Sequence, residues 1–173
     1  MIGGCARSGT TLLLSLLSSH PRIQAIPFET QALCPTAYDA KIDRSKPLDI
    51  EMIRECLRAS PTPERCEYWC EKTPRNVFFF DKILKRFGRA VRLIHIVRDG
   101  RDVVCSIHPD DPTQFWVSPN RWIEDVEAGL AFERHPQVLT IRYEDLVSCF
   151  RQSISRICRF LQLDVTYHLE QYP

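Results

Sequence analysis

The sequence predicts an α/β fold in which a mostly parallel sheet lies between two layers of helices, a three-layer α/β/α arrangement. Three observations support this prediction. Apolar stretches of strand length alternate along the chain with segments of helical periodicity, which is typical of parallel α/β proteins. Residues 90–97 are almost continuously apolar, as expected for a central strand that is covered on both faces. At the start of the chain, a glycine-containing loop over residues 3–11 opens into a leucine-rich segment.

Signals at segment ends predict where the helices begin and stop. Asp49 is a good N-cap, because its side chain can accept a hydrogen bond from a first-turn amide. Thr73-Pro74 and Ser118-Pro119 are helix starts, and Gly88 is a stop. The predicted helices cover residues 10–19, 49–59, 73–88 and 103–107, a segment that starts at Ser118, and an amphipathic segment that contains Ile154, Ile157, Cys158 and Leu161, with a short helix and a loop over 31–46.

The predicted strands are short apolar or alternating runs. Each is followed by polar residues or by a helix signal, which is the pattern of strands that alternate with helices in one parallel sheet. Ligands of such sheets bind beyond the carboxyl ends of the strands, so the polar residues there are the candidate site. The strands are predicted at residues 23–27, 66–70, 90–97 and 138–142.

Length and charge limit the possible functions. The 173 residues predict one domain, long enough to bury roughly 70% of the surface of the unfolded chain. A net charge of +1 predicts no general attraction to nucleic acid, so an anion site must be local. The longest apolar run, residues 12–17, is far too short to span a membrane, and no signal peptide is recognisable, which favours a cytoplasmic location. Met1-Ile2 leaves almost no strand before the glycines, which predicts a trimmed domain.

The chain contains eight cysteines, which could form disulfides, bind zinc or remain free thiols. Cys105 and Cys158 lie in apolar periodic segments, so we expect them to be buried thiols. The spacing of Cys56, Cys66 and Cys70 leaves zinc and disulfide interpretations open. Because no matching CxxC or histidine pair lies nearby, the sequence favours neither.

The loop at the start of the chain has the layout of a phosphate-binding loop, which indicates a P-loop NTPase-like fold. Gly4 and Gly9 let backbone amides turn toward an anion, and the helix that follows adds partial positive charge. A nucleoside-triphosphate loop needs a lysine after its second glycine, but Thr10 holds that place. The cation of this loop is instead Arg7. This displacement indicates a nucleotide whose charges are arranged differently from those of ATP.

Two further polar clusters follow predicted strands. Glu29 could be a catalytic base or an ordinary helix-start carboxylate. Arg98 could donate two hydrogen bonds to a phosphate, with the Ser106 hydroxyl on the following helix. Alternatively, residues 98–102 could be a solvated turn with internal ion pairs. Together with a lysine-free phosphate loop, these clusters favour a nucleotide with phosphates at both ends, which needs a second cationic site.

These motifs, in this order, resemble the sulfotransferases that use 3′-phosphoadenosine-5′-phosphosulfate (PAPS). Residues 6–11 are similar to their 5′-phosphosulfate loop, in the arginine form of tyrosylprotein and many bacterial sulfotransferases. Arg98 and Ser106 match the 3′-phosphate motif, and residues 142–146 resemble a segment whose tyrosine, here Tyr143, lies near the nucleotide. Residues 71–74 resemble the motif whose lysine, here Lys72, reaches the transferring sulfuryl group.

The resemblance implies a mechanism. The 5′-phosphosulfate would be held by the Thr10 and Thr11 hydroxyls and by the backbone amides of Ser8, Gly9, Thr10 and Thr11. Arg7 and Lys72 would neutralise charge on the leaving side, and Glu29 would take the proton of an attacking hydroxyl or amine. PAPS would be the co-substrate and adenosine 3′,5′-bisphosphate the product. No metal is needed, because a sulfuryl group carries less charge than a γ-phosphoryl group.

Several alternatives remain open at this stage. Residues 93–99 imitate the strand and aspartate of a magnesium-dependent kinase or NTPase, and a non-catalytic nucleotide-binding domain would also fit. Tyr143 could be a packed aromatic residue, and Lys72 could simply pair with Glu71 or Asp81. The acceptor could be a glycan, a lipid, a small molecule or a peptide tyrosine, because variable loops such as residues 31–48 and 108–118 form acceptor pockets.

We interpret residues 1–173 as a single sulfotransferase-like domain, trimmed at its ends. Cytosolic members of the family that the sequence resembles carry a C-terminal Gly-rich basic segment that folds over the 3′-phosphate. This sequence contains no such segment. Whether flanking sequence completes the 3′-phosphate or acceptor site is therefore left open.

Overall fold

Parallel strands followed by helices make up most of the chain. The computed structural model describes residues 1–36, 41–108 and 110–165. Its strands are β1 (Ile2–Gly4), β2 (Ile23–Ala25), β3 (Tyr68–Cys70), β4 (Leu93–Val97) and β5 (Val138–Arg142). Its α-helices are α1 (Thr10–Ser18), α2 (Ile50–Ala59), α3 (Phe80–Phe87), α4 (Gly100–Val104), α5 (Pro119–Leu130), α6 (Tyr143–Ser148) and α7 (Phe150–Leu161), and Pro74–Phe79 and Gly88–Ala90 form 3₁₀-helices.

All pairings between these strands are parallel. Strand β4 lies between β1 and β5, and β2 pairs with β3. A parallel bridge between Ile2 and Lys72, with the Ile2 amide 3.0 Å from the Glu71 carbonyl oxygen, places β3 beside β1. The order is therefore β2-β3-β1-β4-β5. The carboxyl ends of all five strands consequently lie at one edge, where the polar clusters of the sequence follow them.

The core has one large apolar cluster on each face of the sheet, because successive residues of β4 point to opposite sides. Ile94 and Ile96 pack with the leucines of α1 and with α7. Leu93 packs in a cluster with Phe79, which precedes α3, with Phe80 in α3 and with Phe132, which follows α5. Helices therefore cover both faces, and the predicted three-layer α/β/α fold with a mostly parallel sheet is confirmed.

Two helix-capping predictions are confirmed in atomic detail. The Asp49 carboxylate accepts a hydrogen bond from the Met52 amide at 2.9 Å, and the Ser118 hydroxyl accepts one from the Arg121 amide at 3.2 Å. Thr73 precedes its helix as predicted, but its hydroxyl does not cap that helix. It donates instead to the Glu71 carboxylate, which bears on the site described below.

Other element predictions need correction. The helix predicted over 73–88 starts as the 3₁₀-helix Pro74–Phe79, and the strand predicted from residue 90 starts at Leu93, because Gly88–Ala90 is a 3₁₀-helix. The helix predicted at 103–107 lies at Gly100–Val104, where the Asp99 side chain caps it. Residues 31–36 and 41–46 form no helix, and residues 37–40 of that predicted segment lie outside the described residues.

All eight cysteines are free thiols. Cys158 is buried, as predicted, but the prediction for Cys105 is wrong: it is exposed. Helix α4 is a single turn whose one buried residue is Val103, so Cys105 already lies past the part that packs on the core. No three His, Cys, Asp or Glu side chains in the described segments form a group that could hold a metal ion. None of the helices described here has the length and apolar character needed to cross a membrane.

Candidate active site

The loop between β1 and α1 depends on two close backbone approaches. A Cβ atom at Gly4 would lie 2.4 Å from the carbonyl oxygen of Ile96 on the neighbouring strand. Gly9 has a φ of 91°, and its Cβ would lie 2.5 Å from the ring of Tyr143. Arg7 is also left-handed, at a φ of 67°, and its side chain is exposed. The glycines therefore permit a tight turn that seats the loop against β4 and Tyr143.

The loop presents polar groups suited to an anion. Ser8 is fully buried, and its hydroxyl oxygen has no hydrogen-bond partner among the described residues. Its amide donates to the Cys5 carbonyl oxygen at 3.2 Å, so the turn itself uses that amide. The amides at the start of α1, at Thr10 and Thr11, have no acceptor within a helix that begins there. The groups left for a ligand are thus these amides, the Gly9 amide and the Ser8 hydroxyl.

Lys72 brings Glu29 and the start of α1 together. Its ammonium group forms a salt bridge with the Glu29 carboxylate and donates to the Thr11 hydroxyl at 3.1 Å. Lys72 is 4% exposed, whereas the side chain of Glu29 is 27% exposed. The alternative partners are excluded, since Asp81 pairs with Arg44 and the Glu71 carboxylate is occupied by other donors. A cation and a carboxylate that are far apart in sequence therefore meet at the phosphate loop.

Arg98 occupies the end of β4, beside the phosphate loop. Its guanidinium donates to the Arg7 carbonyl oxygen and to the Asp102 carboxylate, both at 3.2 Å. Its Cζ atom lies 4.5 Å from the centroid of the Tyr143 ring. The Ser106 hydroxyl donates to the Asp102 carbonyl oxygen at 2.9 Å. Asp102 therefore connects both predicted 3′-phosphate residues.

Contacts from β5 and α5 hold this second cluster in place. The Glu144 carboxylate accepts a hydrogen bond from the Asp99 amide at 2.7 Å, which ties the end of β5 to the end of β4. The indole of Trp122 donates to the Arg98 carbonyl oxygen at 3.2 Å. Neither contact was expected from the sequence, because a glutamate after a strand and a tryptophan in a helix give no sign of a distant backbone partner.

A buried charged cluster lies beneath the phosphate loop and was also missed. Asp125 is fully buried, with its carboxylate 3.7 Å from the Arg75 Nε atom and 3.8 Å from the Arg121 Nε atom. Burial raises the pKa of Asp125, and the Cys5 thiol and the two guanidinium groups oppose this rise. Burial also raises the pKa of the Cys5 thiol. The only sequence signal is the presence of charged residues in otherwise core-facing segments.

A cavity of about 500 Å³ opens elsewhere, and its lining includes none of the candidate residues. Its walls include Met1, Ile94 and Leu163, which lie toward the amino-terminal edge of the sheet or pack below it. The candidate site is at the opposite edge. We therefore assign the site from its side chains and not from the size of this cavity.

A sequence model of the sulfotransferase family matches residues 45–167. That range contains Lys72, Arg98, Ser106 and Tyr143, but not the phosphate loop or Glu29. No curated protein shows significant sequence similarity to the chain.

Solved structures support the same fold. The mouse sulfotransferase SULT7A1, solved in complex with PAP, is 19% identical, with a TM-score of 0.66 over 98% of this chain and 60% of that protein. The sulfotransferase domain of the Synechococcus PCC 7002 olefin synthase is 21% identical, with a TM-score of 0.60 over 97% of this chain and 74% of that domain. A sulfotransferase from Alicyclobacillus acidocaldarius is 14% identical, with a TM-score of 0.64 over 94% of this chain and 80% of that protein.

At these identities the structural likeness supports the fold, and the chain spans only 60% of the length of the mouse enzyme. The family model makes the stronger statement, since residues 45–167 are more than half of the chain. The chain therefore belongs to the sulfotransferase family.

Proposed function

We propose that the chain transfers a sulfuryl group from PAPS to a hydroxyl or amine acceptor and leaves adenosine 3′,5′-bisphosphate. The observation that carries this proposal is the contact of buried Lys72 with both Glu29 and Thr11. One cation thus touches a carboxylate that can act as a base and the helix start that can hold an anion. PAPS supplies an activated sulfuryl group, joined to phosphate through a bridging oxygen.

The residues present fit a nucleotide that is anionic at both ends. The buried Ser8 hydroxyl lacks a partner among the described residues, which is unusual unless a ligand supplies one. Arg98 forms the second cationic position, since its side chain is 26% exposed and can still donate to a phosphate. Tyr143 lies between the two positions, against Gly9 on one side and Arg98 on the other.

The two cations of the first position have different surroundings. Lys72 is nearly buried, so its charge acts in a medium of low polarity and stabilises nearby negative charge more strongly than it would in water. Arg7 is exposed and is carried by the loop itself. We assign Lys72 to the charge that develops on the bridging oxygen, and Arg7 to additional neutralisation from the solvent side.

Glu29 is the proposed general base. It follows β2 at the edge where the other strands end, and its side chain is 27% exposed, so an acceptor can approach it while Lys72 holds its other side. In-line attack requires a base within hydrogen-bond reach of the attacking group. A purely structural salt bridge with Lys72 would leave the same contact, so mutation must separate the two roles.

The decisive experiment combines a transfer assay with nucleotide binding. Wild-type protein, Glu29→Gln and the exposed control Glu64→Gln are incubated with radiolabelled PAPS and a panel of glycans, lipids, small alcohols and tyrosine peptides. We expect transfer by wild type and by the control, and a loss of about 100-fold or more in Glu29→Gln. Binding of adenosine 3′,5′-bisphosphate should persist in all three proteins.

Other outcomes would overturn the proposal in distinct ways. Nucleotide binding by the wild type without transfer to any acceptor would favour a binding domain. Preference for ATP with magnesium over adenosine 3′,5′-bisphosphate without it would favour a kinase or NTPase. Full transfer by Glu29→Gln would remove Glu29 as the base and leave the sulfotransferase activity intact.

A further inference from the structure

Glu71 is a fully buried carboxylate in the segment that follows β3. One of its oxygens accepts hydrogen bonds from the hydroxyls of Thr30 and Thr73, at 3.0 and 2.6 Å. The other accepts one from the Asn76 side-chain amide at 2.7 Å. An ionised carboxylate can only accept hydrogen bonds, and both of its oxygens have a donor here.

Each of these donors is connected to a proposed site element. Thr30 follows Glu29 in sequence, and Thr73 follows Lys72. Asn76 also donates to the Ile2 carbonyl oxygen at 3.2 Å, in the strand that leads into the phosphate loop. Through these three side chains, the Glu71 carboxylate links the base segment, which contains Glu29, with the lysine segment, which contains Lys72, and with β1.

The same network holds a strained backbone next to the site. Gln31 has a φ of 55°, which is uncommon for a residue other than glycine. Its amide donates to the Thr73 hydroxyl at 3.2 Å, and the Ala32 amide donates to the Thr30 hydroxyl at 3.1 Å. Both hydroxyls thus accept from the base segment and donate to Glu71, which fixes the turn that follows Glu29.

A contribution to the stability of the fold does not explain why a carboxylate is buried at this position. A carboxylate taken out of water loses its hydration, and three hydrogen bonds recover only part of that loss. Burial accordingly raises the pKa of Glu71, and the hydrogen bonds from Thr73, Asn76 and Thr30 oppose the rise. An apolar side chain could fill the same space, but it could not accept the hydrogen bonds that join the three segments.

We infer that Glu71 is a positioning residue, whose carboxylate keeps Glu29 and Lys72 in contact at the phosphate loop. This role rests on the proposed function, because it matters for catalysis only if Glu29 and Lys72 act together. Glu71 itself touches neither the acceptor nor the nucleotide in this assignment. It acts through the threonines and through Asn76.

The test compares Glu71→Ala and Glu71→Gln with Gln24→Ala. Gln24 is a matched control, since it is also buried and its side-chain amide nitrogen lies within hydrogen-bond distance of the Leu57 and Ser60 carbonyl oxygens and the Thr62 hydroxyl, away from the site. Three properties are measured: thermal stability, kcat and KM for transfer, and the ammonium resonance of Lys72 in protein with isotope-labelled lysine, assigned by its loss in Lys72→Arg.

We expect Glu71→Ala and Gln24→Ala to lose similar stability. Only Glu71→Ala should also lower kcat by about tenfold or more and move the Lys72 resonance toward that of a solvated lysine. Glu71→Gln keeps one acceptor oxygen and the side-chain volume, so it should fold and recover part of kcat. It therefore keeps the test informative if Glu71→Ala does not fold.

An unchanged Lys72 resonance in both Glu71 variants, with kcat reduced no more than in Gln24→Ala, would overturn the inference. Absence of transfer in the wild-type protein is a different result and would overturn the proposed function. In that case the Lys72 resonance, which needs no turnover, still decides whether Glu71 positions the pair.

Discussion

The guanidinium of Arg98 lies 4.5 Å from the ring centroid of Tyr143, and that ring in turn fills the space that a Cβ atom at Gly9 would need. Three strand ends therefore meet through one aromatic side chain: β1 through its loop, β4 through Arg98 and β5 through Tyr143. Cation–π contact restricts the guanidinium and leaves its edge free to donate. In the proposed function, this arrangement fixes the distance between the two anion positions.

The first prediction concerns the second anion position. Arg98→Ala should weaken binding of adenosine 3′,5′-bisphosphate by roughly 10- to 100-fold, because a charge-assisted hydrogen bond contributes about 1.5–3 kcal/mol. Calorimetric titration measures the change. Arg101→Ala is the matched control, since Arg101 lies close by in α4 and its side chain is 90% exposed.

A second ligand makes this prediction specific to the 3′-phosphate. Adenosine 5′-phosphate lacks that group, so its affinity should change little in Arg98→Ala. An equal loss for both ligands would mean that Arg98 supports the whole pocket through the Arg7 carbonyl oxygen and Tyr143, and not the 3′-phosphate.

The second prediction concerns the fit of the phosphate loop. Gly9→Ala forces a side chain into left-handed backbone and against the Tyr143 ring, whereas Gly88→Ala, at a φ of 55°, meets nothing within 4 Å. Both residues have a positive φ, so both variants should lose roughly 1–3 kcal/mol from the backbone conformation. Gly9→Ala should lose further stability from the clash, and its nucleotide affinity should fall. Denaturant unfolding and calorimetry measure both effects, and an unchanged nucleotide affinity in Gly9→Ala would contradict the packing described.

The third prediction concerns Lys72. Replacing it with Met keeps most of the apolar stem and removes the charge, so Glu29 loses its salt-bridge partner and the leaving side loses a cation. We expect kcat to fall by about 100- to 1,000-fold, as when one stabilising donor is removed from an active site. Steady-state kinetics measure this loss, with exposed Lys85→Met as the control. A change in KM alone would assign Lys72 to nucleotide binding.

Much of the fold was predictable because its signals are local. The caps at Asp49 and Ser118, the leucines of α1 and the apolar residues of β4 each act within a few residues of chain. Boundaries were less predictable where a short 3₁₀-helix competes with a regular element, as before β4. The burial of Cys105 was wrongly predicted for a related reason, since periodicity does not reveal that a helix stops after one turn.

In the candidate site, the positions of the residues were predictable from local signals, but their contacts were not. The candidate residues lie at the strand ends where the motifs placed them, because parallel strands deliver their carboxyl ends to one edge. The partners of those residues were not predictable. If Lys72 had only a structural role, its partner was expected to be Glu71 or Asp81, but the structure pairs it with Glu29. Such contacts depend on the order of strands in the sheet, which no local pattern of residues specifies.

The last prediction concerns His95 and the pH dependence of stability. His95 is fully buried on β4, where a Cβ atom added to Gly129 of α5 would lie 2.4 Å from its ring. Neither ring nitrogen has a hydrogen-bond partner among the described residues, and burial lowers the pKa of His95 from 6.5 to about 4. Between these two values the unfolded chain binds the proton more readily than the folded one. Stability contributed by neutral His95 is therefore complete above about pH 6.5 and is lost as the pH falls toward 4, by up to about 3 kcal/mol.

Denaturant unfolding of the wild type and of His95→Leu across this pH range measures the effect as a difference. Subtracting the unfolding free energies of the two proteins cancels the contributions of the other titrating groups. These include Glu71 and Asp125, whose raised pKa values change stability with pH in the opposite direction. His135→Leu is the control, since the His135 ring is only half-buried and accepts a hydrogen bond from the Gln137 amide at 3.2 Å. We expect the loss of stability on acidification to shrink in His95→Leu and to persist in His135→Leu. Parallel curves for the wild type and His95→Leu would show that His95 does not gain its proton during acid unfolding, and that another buried group carries the pH dependence.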